Sequence, residues 1–264
     1  MTEISAALVK ELRDRTGAGM MDCKRALQEA GGDIDAAVRL LRERGAAQAA
    51  KRSGRETPEG IVLARVEDGA GALAAIGCET EPVSKNEEFR SFANRVLEAA
   101  ASGEDVNGLE DERQELVAKI GENIAVVGTA RFAAVAGGAI SSYVHPPANK
   151  IGVLVQVRGG PEDLPRKLAM HIAATRGTDW IGREDVPEDV VTAEREIYAN
   201  SDEVLGKPEQ AREKIVEGML NKRFFAAQVL TEQPWIHETG KTVGQALEEE
   251  GAEVLEFERF ELAG

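Results

Sequence analysis

"GIVLARVEDGAGALAAIGCE", residues 60–79, decides the fold class. Two apolar runs, GIVLARV and ALAAIGCE, flank the polar, glycine-containing EDGAG. Such runs split by a short turn-forming segment are a β-hairpin pattern. The period then changes. NEEFRSFANRVLEAAASG reads as a helix, LEDERQELVAKIGENIAV holds another, and AVVGTARFAAV closes the unit as a strand. Strands and helices in this order predict an α+β protein.

Residues 138–264 repeat the plan. GAISSYVH and KIGVLVQVRGG predict a second hairpin, PEDLPRKLAMHIAATRG a second long helix, KTVGQALEEEG a helix and AEVLEFERFELAG a closing strand. The units end alike, Arg131-Phe132-Ala133-Ala134-Val135-Ala136-Gly137 against Arg259-Phe260-Glu261-Leu262-Ala263-Gly264. A hairpin-helix-helix-strand unit used twice is the predicted core. Residues 187–228 interrupt its second copy. Val190/Val191, Ile197/Tyr198 and Val204/Leu205 recur every seven residues, GKP makes a turn, and Ile215, Met219 and Phe225 line a second helix. This predicts an antiparallel helical hairpin inserted as an arm.

Ahead of the core, residues 1–45 read as three short helices. Ile4, Leu8 and Leu12 set the first stripe; Cys23, Ala26, Leu27 and Ala30 the second; Ile34, Ala37, Val38 and Leu41 the third, after the N-cap Asp33. AAQAAKRSGRETPEG reads as a helical linker. Met20 falls three residues before Cys23 and extends that stripe, whereas Met21 lies about 100° off it. The spacing predicts a core-facing Met20 and a surface Met21. Met adapts to irregular contacts, so a contact role and gap filling both fit the pair.

Aromatic residues are only 4% of the chain, so its cores must rest on Ala, Val, Leu and Ile. The net charge of −15 argues against nucleic acid or an anionic membrane as partner. Residues 1–55 carry eleven Lys/Arg against eight Asp/Glu, a net of +3 that leaves −18 on the rest. Cys23 and Cys78 sit in apolar surroundings and read as reduced thiols of a cytosolic protein. The sequence predicts neither a signal peptide nor a membrane span, since MTEISAALVKELRDRTG lacks an apolar h-region and no run approaches 18 apolar residues.

No chemistry-bearing motif emerges. GKT at 240–242 ends like a phosphate loop, but Trp235 stands where such a loop needs Gly. The histidines are far apart, and His171 lies on an apolar helix face, which favours a core position. No His/Cys cluster has metal spacing. CETEPVSKNEEF, residues 78–89, links strand to helix; Pro82 stops the strand, Ser84 or Asn86 caps the helix, and Glu81 stands beside Pro82 at the tip. Helical head, duplicated body and arm without a catalytic constellation point to a binding protein.

LVKELRDRTGAGMMDCKRALQEAGGDIDAAVRLLRERG, residues 8–45, closely resembles the N-terminal signature of the bacterial elongation factor Ts family. ETEPVSKNEEF looks like a variant of that family's Thr-Asp-Phe-Val-x-Lys-Asn motif, and ELVAKIGENI, KIGVLVQV, LAMHIAA and KTVGQAL match further segments in order. The resemblance implies a guanine nucleotide exchange factor that binds elongation factor Tu, GDP-bound and nucleotide-free, and releases GDP by distorting the Mg²⁺ and phosphate site. It implies no enzyme activity, cofactor or metal, and a cytoplasmic location. The implied parts are a ubiquitin-associated-like head with linker at 1–55, core subdomains at 56–137 and 138–264, and a coiled-coil insertion at 187–228. A homodimer through the core, or a two-to-two complex, is a further expectation.

Carried over by position, head contacts fall on Lys10, Glu11, Arg13, Met20 and Met21, and the core motif on Thr80, Glu81, Pro82, Val83, Lys85 and Asn86. His145 matches a histidine of the family's core, and Ile236 and His237 an apolar pair near the partner. Glu81 replaces the family's Asp, Pro82 its Phe and His237 a Met. A scaffold binding other proteins through the head is the competing reading; the long matches in the core argue against it.

Overall fold

The computed structural model describes residues 4–262. The hairpin at 60–79 forms and is tighter than its sequence suggests. β1 (Glu59–Glu67) and β2 (Ala70–Cys78) pair antiparallel, with Glu59 opposite Cys78 and Glu67 opposite Ala70. Only Asp68 and Gly69 turn the chain, at φ of 49° and 72°. Two consecutive positive φ values match the twist of a two-residue hairpin, and an Asp-Gly pair tolerates them.

β3 (Ile124–Ala133) adds to β2, giving the sheet order β1-β2-β3. β4 (Gly138–Val144), β5 (Ile151–Gly159) and β6 (Ala252–Glu261) form a second antiparallel sheet in the order β4-β5-β6. The two sheets share an irregularity. The register slips between Ala75 and Ile76 in one middle strand and between Gln156 and Val157 in the other, and in both the fourth residue of the last strand, Val127 or Leu255, is left over. The echo seen in sequence also keeps its place: Phe132 and Phe260 hold the same position in β3 and β6, and both enter the layer between the sheets. Ala263 and Gly264, which close that echo, lie outside the described residues, as do Met1, Thr2 and Glu3 of the head.

The helices are α1 (Ala6–Thr16), α2 (Met20–Glu29) and α3 (Ile34–Arg52) in the head, then α4 (Glu81–Ser84), α5 (Glu87–Ser102) and α6 (Glu110–Ile120) in the first half. The second half holds α7 (Leu164–Ala174), α8 (Glu188–Ala199), α9 (Asp202–Leu205), α10 (Glu209–Met219), α11 (Ala226–Gln228) and α12 (Val243–Glu250), with a π-helical stretch at Leu220–Phe225. Phe89 and Phe92 of α5 pack on Ala72, Ala74 and Ile76 of β2; Leu168 and Ile172 of α7 and Val243 and Leu247 of α12 pack with Val153, Val155 and Val157 of β5. Between the sheets lie Val62, Leu73, Ala75, Leu154 and Leu262. β2 is thus covered on both faces, which explains its small side chains.

The linker is helical, as its sequence suggests. α3 continues through it to Arg52, and Ala49 is buried in the core beneath the first sheet. A Cβ on Gly45 would stand 3.2 Å from the Ala118 Cβ, so α3 and α6 touch almost backbone to backbone.

The arm departs from its seven-residue pattern. Val190, Val191 and Tyr198 of α8 meet Ile215, Val216 and Met219 of α10, with Phe224 and Phe225 alongside. Ile197 and Leu205, however, are 60% and 48% exposed. Adjacent helix residues point about 100° apart, so Val190 and Val191 are each only half-buried at the seam, and only one member of each of the two later pairs is covered. Tyr198 and Val204 take that place, and the chain turns at Asn200 and Ser201, so no single helix axis carries the repeat to Leu205.

His171 lies fully buried in α7, as its apolar face suggests. Its Nε2 is 2.9 Å from Gln233 Oε1, its Nδ1 has no hydrogen-bond partner, and its ring packs 5.2 Å from that of Trp235. Burial holds it below its ordinary value of 6.5.

Two outcomes are expected. Gly152→Ala should lower stability by about 1–3 kcal/mol, because its Cβ would meet Val62 Cγ1 at 2.4 Å and the core would be overpacked. The exposed Gly108, with open space around it, is the control in urea unfolding. For His171, the unfolded chain takes up a proton below about pH 6.5 while the folded chain resists it, so stability falls as pH drops through that value. Thermal melts between pH 8 and 5.5 should show the loss, and His171→Asn should flatten the profile.

Candidate partner-binding surface

The turn after β2 is built from its backbone upward. Asn86 caps α5, its side chain accepting the N–H groups of Glu88 at 2.8 Å and Phe89 at 3.2 Å. Ser84 instead donates its hydroxyl to the Glu81 carbonyl at 2.7 Å, which closes the single turn of α4. Pro82 sits in the first turn of α4, where a missing N–H costs nothing. Val83 is half-buried against the first core; Thr80, Glu81, Pro82, Lys85 and Asn86 are exposed.

Glu81 is not a free carboxylate. Lys85 Nζ lies 2.7 Å from its Oε1, and this hydrogen bond holds the carboxyl below the usual carboxylate range. Lys150 adds to the effect and itself bridges to Glu59 at 2.7 Å. Beneath the turn, Cys78 is fully buried; desolvation pushes its thiol up to about 12, and Sγ faces the Thr80 carbonyl at 3.3 Å. Cys23 is likewise buried and free, so both thiols are packing groups.

Met20 and Met21 are 58% and 63% exposed. This corrects the core-facing reading of Met20. Helical side chains lean toward the helix N-terminus. Met20 is the first residue of α2, so its side chain projects past the helix end, and the buried stripe starts only at Cys23. Lys10, Glu11 and Arg13 are exposed on α1.

Sequence reasoning missed the groups that join head and turn. The α1–α2 connection rests on Lys119 of α6: a Cβ on Gly17 would lie 2.8 Å from its Nζ. The same ammonium pairs with Glu88, two residues beyond Asn86. Arg42 of α3 reaches Glu115 of α6 at 3.1 Å. The Met pair and the 80–86 turn therefore share a support.

The remaining positions gather around α7. His145 is exposed on the loop after β4, its Nδ1 3.1 Å from the Tyr143 hydroxyl, and Arg166 of α7 lies over the Tyr143 ring. That loop reaches the first sheet, because Val62 donates its N–H to the Asn149 carbonyl at 2.7 Å. Trp235 anchors the 234–242 loop by burial, leaving Ile236 48% exposed. His237 Nε2 lies 3.0 Å from the Lys167 carbonyl of α7, its ring edge-on to Trp235 at 4.7 Å. The anchors of Ile236 and His237 are thus in the second half, not at the 80–86 turn.

Among the described residues, no group of three His, Cys, Asp or Glu side chains is placed to hold a metal ion, and no helix is long and apolar enough to cross a membrane. The surface offers exposed methionines, a rigid turn and paired charges.

The elongation factor TS family model matches residues 79–264. Proteins called elongation factor Ts from Escherichia coli K12 (strain DH10B), Escherichia coli O139:H28 and Shigella boydii serotype 18 are each 45% identical over 99% of this chain and 92% of their own length. An exposed Met pair and a capped turn on one support, carried by two antiparallel sheets, thus stand in a chain that belongs to the elongation factor Ts family.

Proposed function

We propose that the protein binds elongation factor Tu and promotes release of its GDP during translation elongation, in the cytoplasm and without covalent catalysis. The observation that carries this reading is near full-length membership of the family, joined to the exposure of the family's contact positions in this chain. In the reading, Lys10, Glu11, Arg13, Met20 and Met21 of the head grip the GTPase. The 80–86 turn enters beside its Mg²⁺ and phosphate pocket, and His145, Ile236 and His237 brace a second region.

The finer architecture belongs to the same reading. Residues 1–55 form a ubiquitin-associated-like head with its linker, and 56–137 and 138–264 are subdomains of common origin. The repeated register slip and the matched Phe132 and Phe260 support that origin. Residues 187–228 are the coiled-coil insertion, supported by the apolar seam between α8 and α10.

Exchange of this kind is a linkage effect. A factor that prefers the nucleotide-free GTPase to the GDP form by some ratio lowers GDP affinity by that ratio. It requires contacts made in only one of the two states. A turn held rigid by its own hydrogen bonds suits this role, since it does not yield to the partner's ordered pocket.

Pro82 weakens one such contact. A fully buried Phe is worth roughly 1.5–3 kcal/mol, and the smaller Pro ring fills less of any pocket the family's Phe would enter. The substitution to Phe is sterically open here, because Pro82 is exposed and lacks an N–H to lose.

Stopped-flow release of a fluorescent GDP analogue from the cognate elongation factor Tu tests the reading. The wild type is expected to accelerate release, and Pro82→Phe to raise kcat/KM by about tenfold. A wild type that leaves the release rate unchanged would end the exchange reading in favour of a scaffold.

A further inference from the structure

We infer that Glu122 is a positioning residue for exchange: from the turn between α6 and β3 it fixes the chain at Thr80 and so sets where Glu81 and Pro82 stand. The inference rests on the exchange reading and deepens it.

Both carboxylate oxygens of Glu122 serve one residue. The Thr80 backbone N–H donates to Oε2 at 3.0 Å, and the Thr80 hydroxyl to Oε1 at 2.6 Å. The neighbouring pair answers in reverse: the Asn123 N–H donates to Glu79 Oε1 at 2.6 Å. Asn123 Nδ2 donates to the Arg55 carbonyl at 2.8 Å, and the Arg55 guanidinium reaches Glu79 at 3.3 Å. Two adjacent residues of one turn thus hold two adjacent residues of the other, and the end of the head's linker is tied in. The Asn123 N–H, with help from Arg55, keeps Glu79 below the usual carboxylate range, so this half of the clamp stays charged at neutral pH.

The clamp overrides a local rule. Thr80 is the N-cap of α4, with extended φ and ψ of −131° and 151°. A Thr in that position ordinarily turns its hydroxyl onto the first N–H groups of the helix. Here it makes no such cap, because Glu122 has taken the hydroxyl. Forgoing a cap to orient one exposed residue is the kind of local inconsistency that marks a functional position rather than a stabilising one. The Thr80 carbonyl is engaged as well, accepting from Val83 N–H at 3.1 Å and facing Cys78 Sγ. Every polar group of Thr80 is therefore spoken for, and the next two residues leave it in one direction.

The test uses the full chain with the cognate elongation factor Tu and reads the GDP release rate against factor concentration, together with thermal melts. Glu122→Gln keeps the size but leaves one acceptor where two were used. It is expected to lower kcat about tenfold, as befits loss of a hydrogen bond to a charged group. KM should stay near its wild-type value, because the head and the second half still bind. Thr80→Val, a surface change that leaves Glu122 intact, should give the same loss, and the double variant no more than either single one. Thr80→Ser, which keeps the hydroxyl, should restore most of the rate. Wild-type kcat in Glu122→Gln, or additive losses in the double variant, would overturn the inference. So would a loss that appears only with a matching fall in Tm. Failure of the exchange reading looks different: there the wild type itself leaves GDP release unchanged, and the inference falls with it.

Discussion

Two three-stranded sheets meet face to face with glycine at the points of contact, and the rest of the molecule depends on that approach. A Cβ on Gly71 would lie 2.6 Å from Ile140, one on Gly128 2.7 Å from Phe260, and one on Gly152 2.4 Å from Val62. Each glycine receives a large side chain of the opposite sheet, so the shared layer interlocks. Helices then cover the outer faces, Phe89 and Phe92 on one side and Leu168 and Ile172 on the other. Four layers built this way need few aromatic residues, in keeping with their 4% share of the chain. The turns that leave the sheets inherit fixed starting points, among them the 80–86 turn after β2 and the loop after β4 that carries His145.

Polar groups also bind the halves together. Gln156 is buried at 1% exposure, yet fully used. It accepts the Val135 N–H at 2.8 Å and donates to the Ala133 carbonyl at 3.2 Å and to Glu256 at 2.7 Å. It therefore pins the crossing from the first half to the second. Lys150 joins Glu59 from the opposite end. Exposed ion pairs contribute little to stability by themselves. Their use in this chain is directional: Lys119 sets the head against α5, and Lys85 sets the Glu81 carboxylate.

The range of each interaction decides how much of this was legible in the sequence. The hairpin at 59–78, the cap at Asn86 and the helical stripes of the head are local, and sequence periodicity reports them directly. The fold class and the repeated hairpin-helix-helix-strand order were legible for the same reason. Met20 was misjudged because a stripe says which side of a helix is apolar, not whether the first turn reaches the core. The seven-residue recurrence left open which of Ile197/Tyr198 and Val204/Leu205 faces the seam, because apolar neighbours look alike until the partner helix selects one. Glu122 and Lys119 left no signal at all: Glu122 lies 42 residues from Thr80 and Lys119 31 from Glu88, so only the folded register brings them together.

An exchange factor faces a constraint that an enzyme does not. Its work is a difference between two binding energies, so a surface that adapts to both states of its partner achieves nothing. The flexible elements here are therefore confined. Exposed methionines, which adapt to irregular surfaces, stand on the head, to which the proposed reading assigns the grip on the partner. The 80–86 turn has no such freedom: Pro82 fixes its φ, Asn86 caps α5 at its far end, and the Glu79, Glu122 and Asn123 groups hold the chain where it leaves β2. In the proposed reading, with Pro in place of a large aromatic ring, discrimination at this tip rests less on filling a pocket and more on where the backbone stands. That reading shifts the demand from the side chain at position 82 to the residues that aim it, Glu79, Glu122 and Asn123.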